Sequence, residues 1–381
     1  MLTSTIELIQ KALQYNFAFL KEQFKNTRIS SVVKANAYGH GLKEFIPMAG
    51  KCGINHFSVF SSEEARQVMK YLTFPADIMI MGWVNDNDLE WIISNNIEVY
   101  VFDFERFQKL IDVSRKIGIT ARIHVDLETG MNRTGFAQKD ISKLISILTE
   151  NKGFYQFKGL CTHFAGAESI ANYKRINTQI NTFNRIYKRF INNNLIPEIR
   201  HAACSAAAMS YPKTQFEMVR VGILQYGFWP SKETLIQFFS KKSIKTDPLT
   251  QVLSWKSSIM SLKKVKTGEF ISYGTSYLAQ KDMKIAIVPV GYAQGYSRNL
   301  SNQGRVLING LRVVVIGMVN MNMLIVDVTT IDDVKLGDEV VLIGKQGDLS
   351  ITVSSFSEFS DQLNYELLTR LPSEIPRVII N

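Results

Sequence analysis

The chain has 381 residues, is 46% hydrophobic and holds only 9 prolines, which excludes a largely disordered protein and leaves length for two domains with separate cores. A formal net charge of +10 permits contact with nucleic acid or an anionic surface, but acids are mixed with the lysines over most of the chain and no nucleic-acid motif is present, so a solvated basic surface is expected. Cys52, Cys161 and Cys204 are scattered without metal-ligand spacing, which suits reduced thiols in a cytoplasmic protein and argues against a disulfide framework.

Residues 1–25 carry an interrupted amphipathic pattern (Ile6, Leu8, Ile9, Leu13, Phe17, Leu20) without an apolar core run or a cleavage site, which predicts a helix and not a signal peptide. No later stretch is long and apolar enough to span a bilayer. From residue 31 to 226, short β-like runs alternate with helical patterns. Strands are predicted at 31–34, 56–60, 77–81, 97–101, 121–126, 157–162, 199–202 and 218–222, with helices at 42–52, 62–72, 104–117, 139–150 and 176–193. Eight alternations predict a closed (β/α)₈ TIM-like barrel, although count alone also allows an open doubly wound sheet. Beyond Phe228-Trp229-Pro230 the runs at 253–262, 270–276, 284–290, 304–309, 312–316, 323–328 and 339–343 lack long helices between them, which predicts a mainly antiparallel β domain. The expected division is 1–232 and 233–381.

In a barrel, functional groups collect at the C-terminal ends of strands. Lys34 follows the first predicted strand, Asp126 ends the fifth, His163 follows the sixth, Ser205 follows the seventh, and Arg220 lies in the eighth beside Gly222. A lysine held in partly desolvated surroundings has a lowered pKa and can serve as a nucleophilic amine or a proton acceptor. The plain alternative is a strand-end lysine reaching water.

The segment Ser31-Val32-Val33-Lys34-Ala35-Asn36-Ala37-Tyr38-Gly39-His40-Gly41 resembles the cofactor-lysine motif of the alanine racemase family. The likeness recurs in the family's order at 129–136 (Thr-Gly-Met-Asn-Arg-Thr-Gly-Phe), 162–165, 201–208, 219–223, 272–274 and 364–366, and so covers essentially the whole chain. It implies pyridoxal 5′-phosphate (PLP) bound through Lys34, with its phosphate held by Tyr38, Ser205, Gly222, Ile223 and Tyr365. It also implies that Arg220 faces the pyridine nitrogen, that His201 orients Arg220, and that His163 lies against the ring. Racemisation needs two proton-transfer groups on opposite faces of the substrate. The resemblance supplies Lys34 for the D-enantiomer and Tyr273 for the L-enantiomer, with Tyr273 coming from the other subunit of a homodimer and His163 proposed to assist its deprotonation. It further implies a small amino-acid substrate whose carboxylate lies near Arg133 and Met321, with Tyr277, Tyr292 and Tyr365 narrowing access, and D-alanine made for peptidoglycan.

Several positions depart from the family pattern. Asp126 stands where many members carry a carbamylated lysine, so no carbamate is expected there; its carboxylate offers the same charge on a shorter arm. Glu128 and Cys204 replace a usual Asp and Asn, Gln294 replaces an Asp, and Met318 and Asn322 replace an Arg and an Asp around Met321. These changes leave serine, lysine or another amino acid open as substrate. A PLP decarboxylase of the same architecture and a PLP-carrier protein are the competing readings; Arg220 speaks against the first and the β domain against the second.

Overall fold

The computed structural model describes residues 3–242, 246–360 and 364–381, with side chains for all of these but 357–360. Its first element is a strand, β1 (Ser4–Ile9), and the helix Gln10–Gln23 follows. The helix expected from the interrupted pattern of 1–25 is therefore corrected over Ser4–Ile9 and found at Gln10–Gln23. Ile6 and Leu8 are spaced by two and fully buried, a strand period. What fixes it is pairing with segments more than 240 residues away, antiparallel to β10 (Leu253–Ser258) and parallel to a C-terminal strand at Arg377–Ile380. Neither partner is visible in local periodicity.

The chain divides into two compact units, one of residues 1–12, 36–45 and 251–381, the other of residues 13–35 and 46–250. Thus β1, included in the expected barrel segment 1–232, belongs to the sheet of the C-terminal unit.

In the second unit, β2 (Arg28–Val32), β3 (His56–Val59), β4 (Asp77–Ile80), β5 (Glu98–Val101), β6 (Ala121–Asp126), β7 (Tyr155–Cys161), β8 (Ile199–His201) and β9 (Met218–Val221) form one parallel sheet. Its order is β8-β7-β6-β5-β4-β3-β2-β9, and every neighbouring pair is parallel. The two end strands meet through a parallel bridge between Cys204 and Arg220, where the Arg220 amide donates to the Ala203 carbonyl at 3.0 Å. That contact makes a barrel of what would otherwise be an open sheet. Surrounding helices present apolar stripes; Tyr173–Asn192 buries Ile176, Ile180, Phe183, Ile186 and Phe190. Asp103 caps Phe104–Ile117 by accepting from the Arg106 amide at 2.7 Å, a contact worth about 1 kcal/mol.

In the other unit, β10 is followed by β11 (Ser261–Val265), β12 (Met283–Val288), β13 (Arg305–Ile308), β14 (Leu311–Val314), β15 (Leu324–Asp327), β16 (Glu339–Gln346), β17 (Leu349–Ile351) and β18 (Arg377–Ile380). The larger sheet runs β14-β13-β16-β10-β1-β18 with β17 on β16, and β11-β12-β15 form a second, antiparallel sheet. Residues 270–276, expected as a strand, instead form a loop with one isolated bridge, Phe270 to Leu278. Positive φ at Ser272 (69°) and Gly274 (66°) turns the chain out of extended geometry there. Among the described residues no helix is long and apolar enough to cross a membrane.

Candidate active site

Lys34 leaves β2 at a point pinned from several sides. The Val32 carbonyl accepts from Gln225 Nε2 (2.9 Å) and Tyr226 Oη (3.0 Å), Ser31 Oγ donates to Gln225 Oε1 (2.7 Å), and the Val33 amide donates to the Ser58 carbonyl (2.9 Å). Glu64 then accepts from the Ala35 amide at 2.6 Å and the Phe60 amide at 2.7 Å, tying the turn to the end of β3. Lys34–Tyr38 is one left-handed helical turn, with φ of 52–54° at Ala35, Asn36, Ala37 and Tyr38. L-residues there cost roughly 1–2 kcal/mol each, so the surrounding contacts hold the turn against its local preference. Desolvation, and secondarily the charge of Arg133, lowers the Lys34 pKa from 10.5, while Glu64 acts in the opposite sense. The result is an amine more easily deprotonated than an ordinary lysine's.

Arg220 is buried on β9. NH1 donates to His201 Nδ1 (2.5 Å) and the His201 carbonyl (2.9 Å), and NH2 to the carbonyls of Thr162 (2.8 Å) and Ala202 (3.1 Å). Four of its five N–H groups are thereby committed, and Nε–H is the donor left over. His163 is neutral at physiological pH, its pKa brought down to about 3 by desolvation and then by the charges of Arg220, Arg133 and Lys34. Ser205 is buried and its Oγ accepts from the Gly222 amide at 3.0 Å, which leaves the hydroxyl proton available. Ile223 opens the 3-10 turn Ile223–Tyr226, and Cys204 precedes the helix Ser205–Ser210.

The loop after β6 is organised by Glu128, whose carboxylate accepts from the amides of Gly130, Asn132 (2.6 Å) and Arg133 (3.3 Å). Arg133 itself is exposed. Asp126 Oδ2 accepts from Thr134 Oγ1 at 2.8 Å, and Oδ1 lies 3.9 Å from Cys161 Sγ. The short aspartate arm thus ends on Thr134, whereas a longer side chain at this position would extend further into the loop.

Burial raises the Asp126 carboxyl from 3.8 to about 6 against the opposing pull of Thr134, Arg220 and Arg133. A carboxyl with a higher pKa folded than unfolded favours the fold while protonated; that contribution is complete below pH 3.8 and is lost as pH rises through 6. Asp126→Asn, which keeps an acceptor for Thr134, is therefore expected to gain stability over the native chain as pH rises, by at most roughly 3 kcal/mol at neutrality. Urea midpoints of the two proteins from pH 4.5 to 7.5 check this; a gap that does not widen contradicts the raised pKa.

In the other unit the rings of Tyr38 and Tyr365 lie 5.9 Å apart. Gly39, at φ 76°, has no space for a side chain: a Cβ would sit 1.9 Å from the Leu368 carbonyl oxygen. Ser272 Oγ donates to the Met318 carbonyl (2.7 Å) and lies 3.2 Å from Asn320 Oδ1, while the amides of Tyr292 and Ala293 donate to the carbonyls of Asn320 (3.0 Å) and Met321 (2.9 Å). These bonds gather the loops carrying Tyr273, Tyr292, Met321 and Asn322, and leave Tyr273 70% and Met321 56% exposed. Gln294 Oε1 accepts from the Gly291 amide at 3.0 Å, a turn-closing role. Tyr277 lies apart from the loop tips, half-buried against Val265, Ile271 and Met283.

The family model for the alanine racemase N-terminal domain matches residues 9–230, and that for the C-terminal domain matches residues 252–379. The chain belongs to the alanine racemase family. Alanine racemase 1 of Clostridium acetobutylicum is 34% identical over 376 residues, 97% of this chain and 93% of that protein. The crystal structure of alanine racemase from D-cycloserine-producing Streptomyces lavendulae matches with a TM-score of 0.91 at 28% identity, over 99% of this chain and 97% of that one. Alanine racemase from Bartonella henselae, solved with covalently bound pyridoxal phosphate, matches with a TM-score of 0.86 at 25% identity over 99% of each chain.

Within this alanine racemase-family barrel, three residues of the site's support escape sequence reading. Glu64 looks like a helix-start acid but holds the Lys34 turn. Gln179, buried in a helix, joins Thr129 Oγ1 (3.2 Å), the His163 carbonyl (3.0 Å) and the Ala165 amide (3.0 Å). Glu98 is a fully enclosed acid in a predicted buried strand, and that mismatch was the available signal.

Proposed function

We infer that this chain interconverts the enantiomers of alanine, with PLP bound through Lys34. The observation that carries the reading is the donor pattern of Arg220. Its Nε–H is the one N–H without a partner among the described residues, and a guanidinium does not release its proton at neutral pH, so this group suits a pyridine nitrogen that acts as acceptor. The Ser205 hydroxyl and the Ile223 amide suit a phosphate, while the Gly222 amide holds Ser205 Oγ in place, and the family pattern assigns Tyr38 and Tyr365 to the same phosphate. The residues present therefore fit PLP. When bound, PLP acidifies the substrate's Cα–H by drawing electrons away from Cα.

Lys34, with its lowered pKa, takes or returns the Cα proton on one face. On the other face the same task falls to Tyr273 of the partner subunit, in a homodimer that this reading requires. Arg133 and Met321 are assigned to the substrate carboxylate, and His163, neutral, to the cofactor ring. Neutral His163 has no charge with which to draw the Tyr273 proton and could act toward it only as a hydrogen-bond partner. An Arg220 donor in place of an acid disfavours decarboxylation, which gains from a protonated ring. A cytoplasmic enzyme supplying D-alanine to peptidoglycan is the setting we propose.

The test is incubation of the purified protein and PLP with single L-amino acids in D₂O, reading chirality and Cα deuterium together. Inversion with deuteration of alanine is the expected result. Exchange of serine or lysine in preference would make Gln294, Met318 and Asn322 the determinants of another specificity, and absence of exchange with every amino acid would end the racemase reading.

A further inference from the structure

Beneath Arg220 a run of polar side chains crosses the barrel interior, and only its first member, His201, has a part in the function proposed above. His201 Nε2 lies 2.8 Å from His124 Nδ1, and His124 Nε2 lies 2.9 Å from Glu98 Oε2. The same oxygen takes His56 Nε2 at 3.0 Å; His56 Nδ1 lies 2.8 Å from Ser30 Oγ, which bonds Ser58 Oγ. None of the histidines or serines has exposed surface, and Glu98 has 1%. The other oxygen of Glu98 accepts from Arg122 at 2.8 Å, Arg122 also pairs with Asp77 (2.9 Å), and Asp77 pairs in turn with Arg28 (2.7 Å), residues near the N-terminal ends of the strands.

The ends of this run dictate its protons. A guanidinium only donates, so His201 Nδ1 accepts and His201 carries its single proton on Nε2. His124 Nδ1 must then accept, and His124 Nε2–H donates to Glu98. An extra proton on His201 or His124 would set two N–H groups against each other. A carboxylate only accepts, so His56 also donates from Nε2; desolvation lowers its pKa and favours the neutral ring, whose Nδ1 then accepts from Ser30, which accepts from Ser58. This arrangement satisfies every polar atom of the run, as a dry interior demands, and for His201 and His124 it is the one the ends allow. The backbone makes room for it: a Cβ on Gly159 would fall 2.1 Å from His124 Nδ1 and 2.9 Å from His201 Nε2, and the β6–β7 register shifts between Ile123 and His124.

Arg220 has no carboxylate hydrogen-bonded to it among the described residues; Asp126 acts on it only through space. We propose that Glu98 is the counter-charge bonded to Arg220 through two neutral imidazoles, His124 and His201, and that Glu98, His124 and His56 are positioning residues that keep the Arg220 Nε–H aimed at the cofactor's ring nitrogen. The last clause rests on the racemase reading; the proton arrangement does not. The remaining ionisable groups around the run are Tyr100, whose ring lies 6.1 Å from His124 and 5.9 Å from His201, together with Cys161, Asp126, Arg122 and Arg220. Burial raises both Tyr100 and Cys161, so neither ionises near neutrality.

The experiment is ¹⁵N-histidine NMR of the full chain, first without PLP and then loaded, with signals assigned from single His→Gln variants. His56, His124 and His201 are expected as neutral Nε2–H tautomers at pH 6 and pH 8 alike. An imidazolium or an Nδ1–H tautomer at His201 or His124 overturns the proposal. Glu98→Gln keeps the shape, but one amide cannot accept from Arg122 and from two histidines. It is expected to change the His124 and His201 signals, shift the visible absorption of the loaded protein, and lower kcat about tenfold with KM for alanine nearly unchanged, the size usual for a partner that orients a reacting group. Unaltered tautomers and absorption in folded Glu98→Gln would refute it. If that variant does not fold, Gly159→Ala, which crowds the His124–His201 bond without changing a charge, is read in the same way. A native chain that shows the expected tautomers but neither binds PLP nor racemises alanine would remove the racemase reading, and the role toward the ring nitrogen with it, while the counter-charge stands.

Discussion

Lys34→Ala is expected to reduce racemisation by about 10⁴-fold or more in both directions, because on the function proposed above it removes a covalent anchor and a proton-transfer group at once. The fold should survive. Desolvation already lowers the pKa of the amine, and the turn is held by the Ala35 amide on Glu64 and by the contacts of Val32, all of which persist when the side chain is cut back to alanine. Thermal midpoints within a few degrees of the native chain, with the visible absorption of the bound cofactor gone, are the paired observations. A small primary amine added to the buffer should restore part of the proton transfer. The alternative, a strand-end lysine reaching water, predicts near-native activity for the same variant.

The barrel was legible in the sequence because its eight short strands alternate with helical patterns, most of them long enough to cover a sheet. Runs such as 77–81 and 97–101 fall within a residue or so of the observed strands. Closure was expected from the count of eight, which alone also allowed an open sheet; the bridge between Cys204 and Arg220 that decides it is announced by no local pattern. The first strand was missed for a related reason: Ile6 and Leu8 fit a helix stripe and a strand face equally well, and the deciding partners lie at the far end of the chain. At the candidate site, the strand-end rule picked out Lys34, Asp126, His163, Ser205 and Arg220, residues whose position in the chain is itself the signal. Glu64, Gln179 and the Glu98–His124–His201 run are joined through hydrogen bonds across 14 to 77 residues of sequence, and such bonds have no periodicity to read. The left-handed turn at Lys34–Tyr38 was hidden too. Its residues Ala35, Asn36 and Ala37 carry only a weak preference for that geometry, and tertiary contacts impose it.

Tyr273→Phe separates the two faces of the reaction. Net racemisation should fall about 10³-fold in both directions, because a catalyst cannot shift the equilibrium between enantiomers, and the loss of one proton-transfer group blocks inversion from either side. Exchange without inversion is the distinguishing result: D-alanine should still take up deuterium at Cα through Lys34, and L-alanine should not. Stability should change by less than about 0.5 kcal/mol, since the ring is exposed in the single chain and only a hydroxyl is removed. Mixing this variant with Lys34→Ala under conditions of subunit exchange tests where the tyrosine acts. In a symmetric dimer with shared sites, a mixed pair assembles one site carrying both native groups and one carrying neither. Half the dimers are mixed at equal ratios, so recovery to about a quarter of native activity is expected. Tyr273 working beside Lys34 of its own chain would give no recovery at all. Tyr273 is 70% exposed in the single chain, on a loop held by Ser272, and that exposure leaves it free to enter the site of a second copy as the proposed dimer requires.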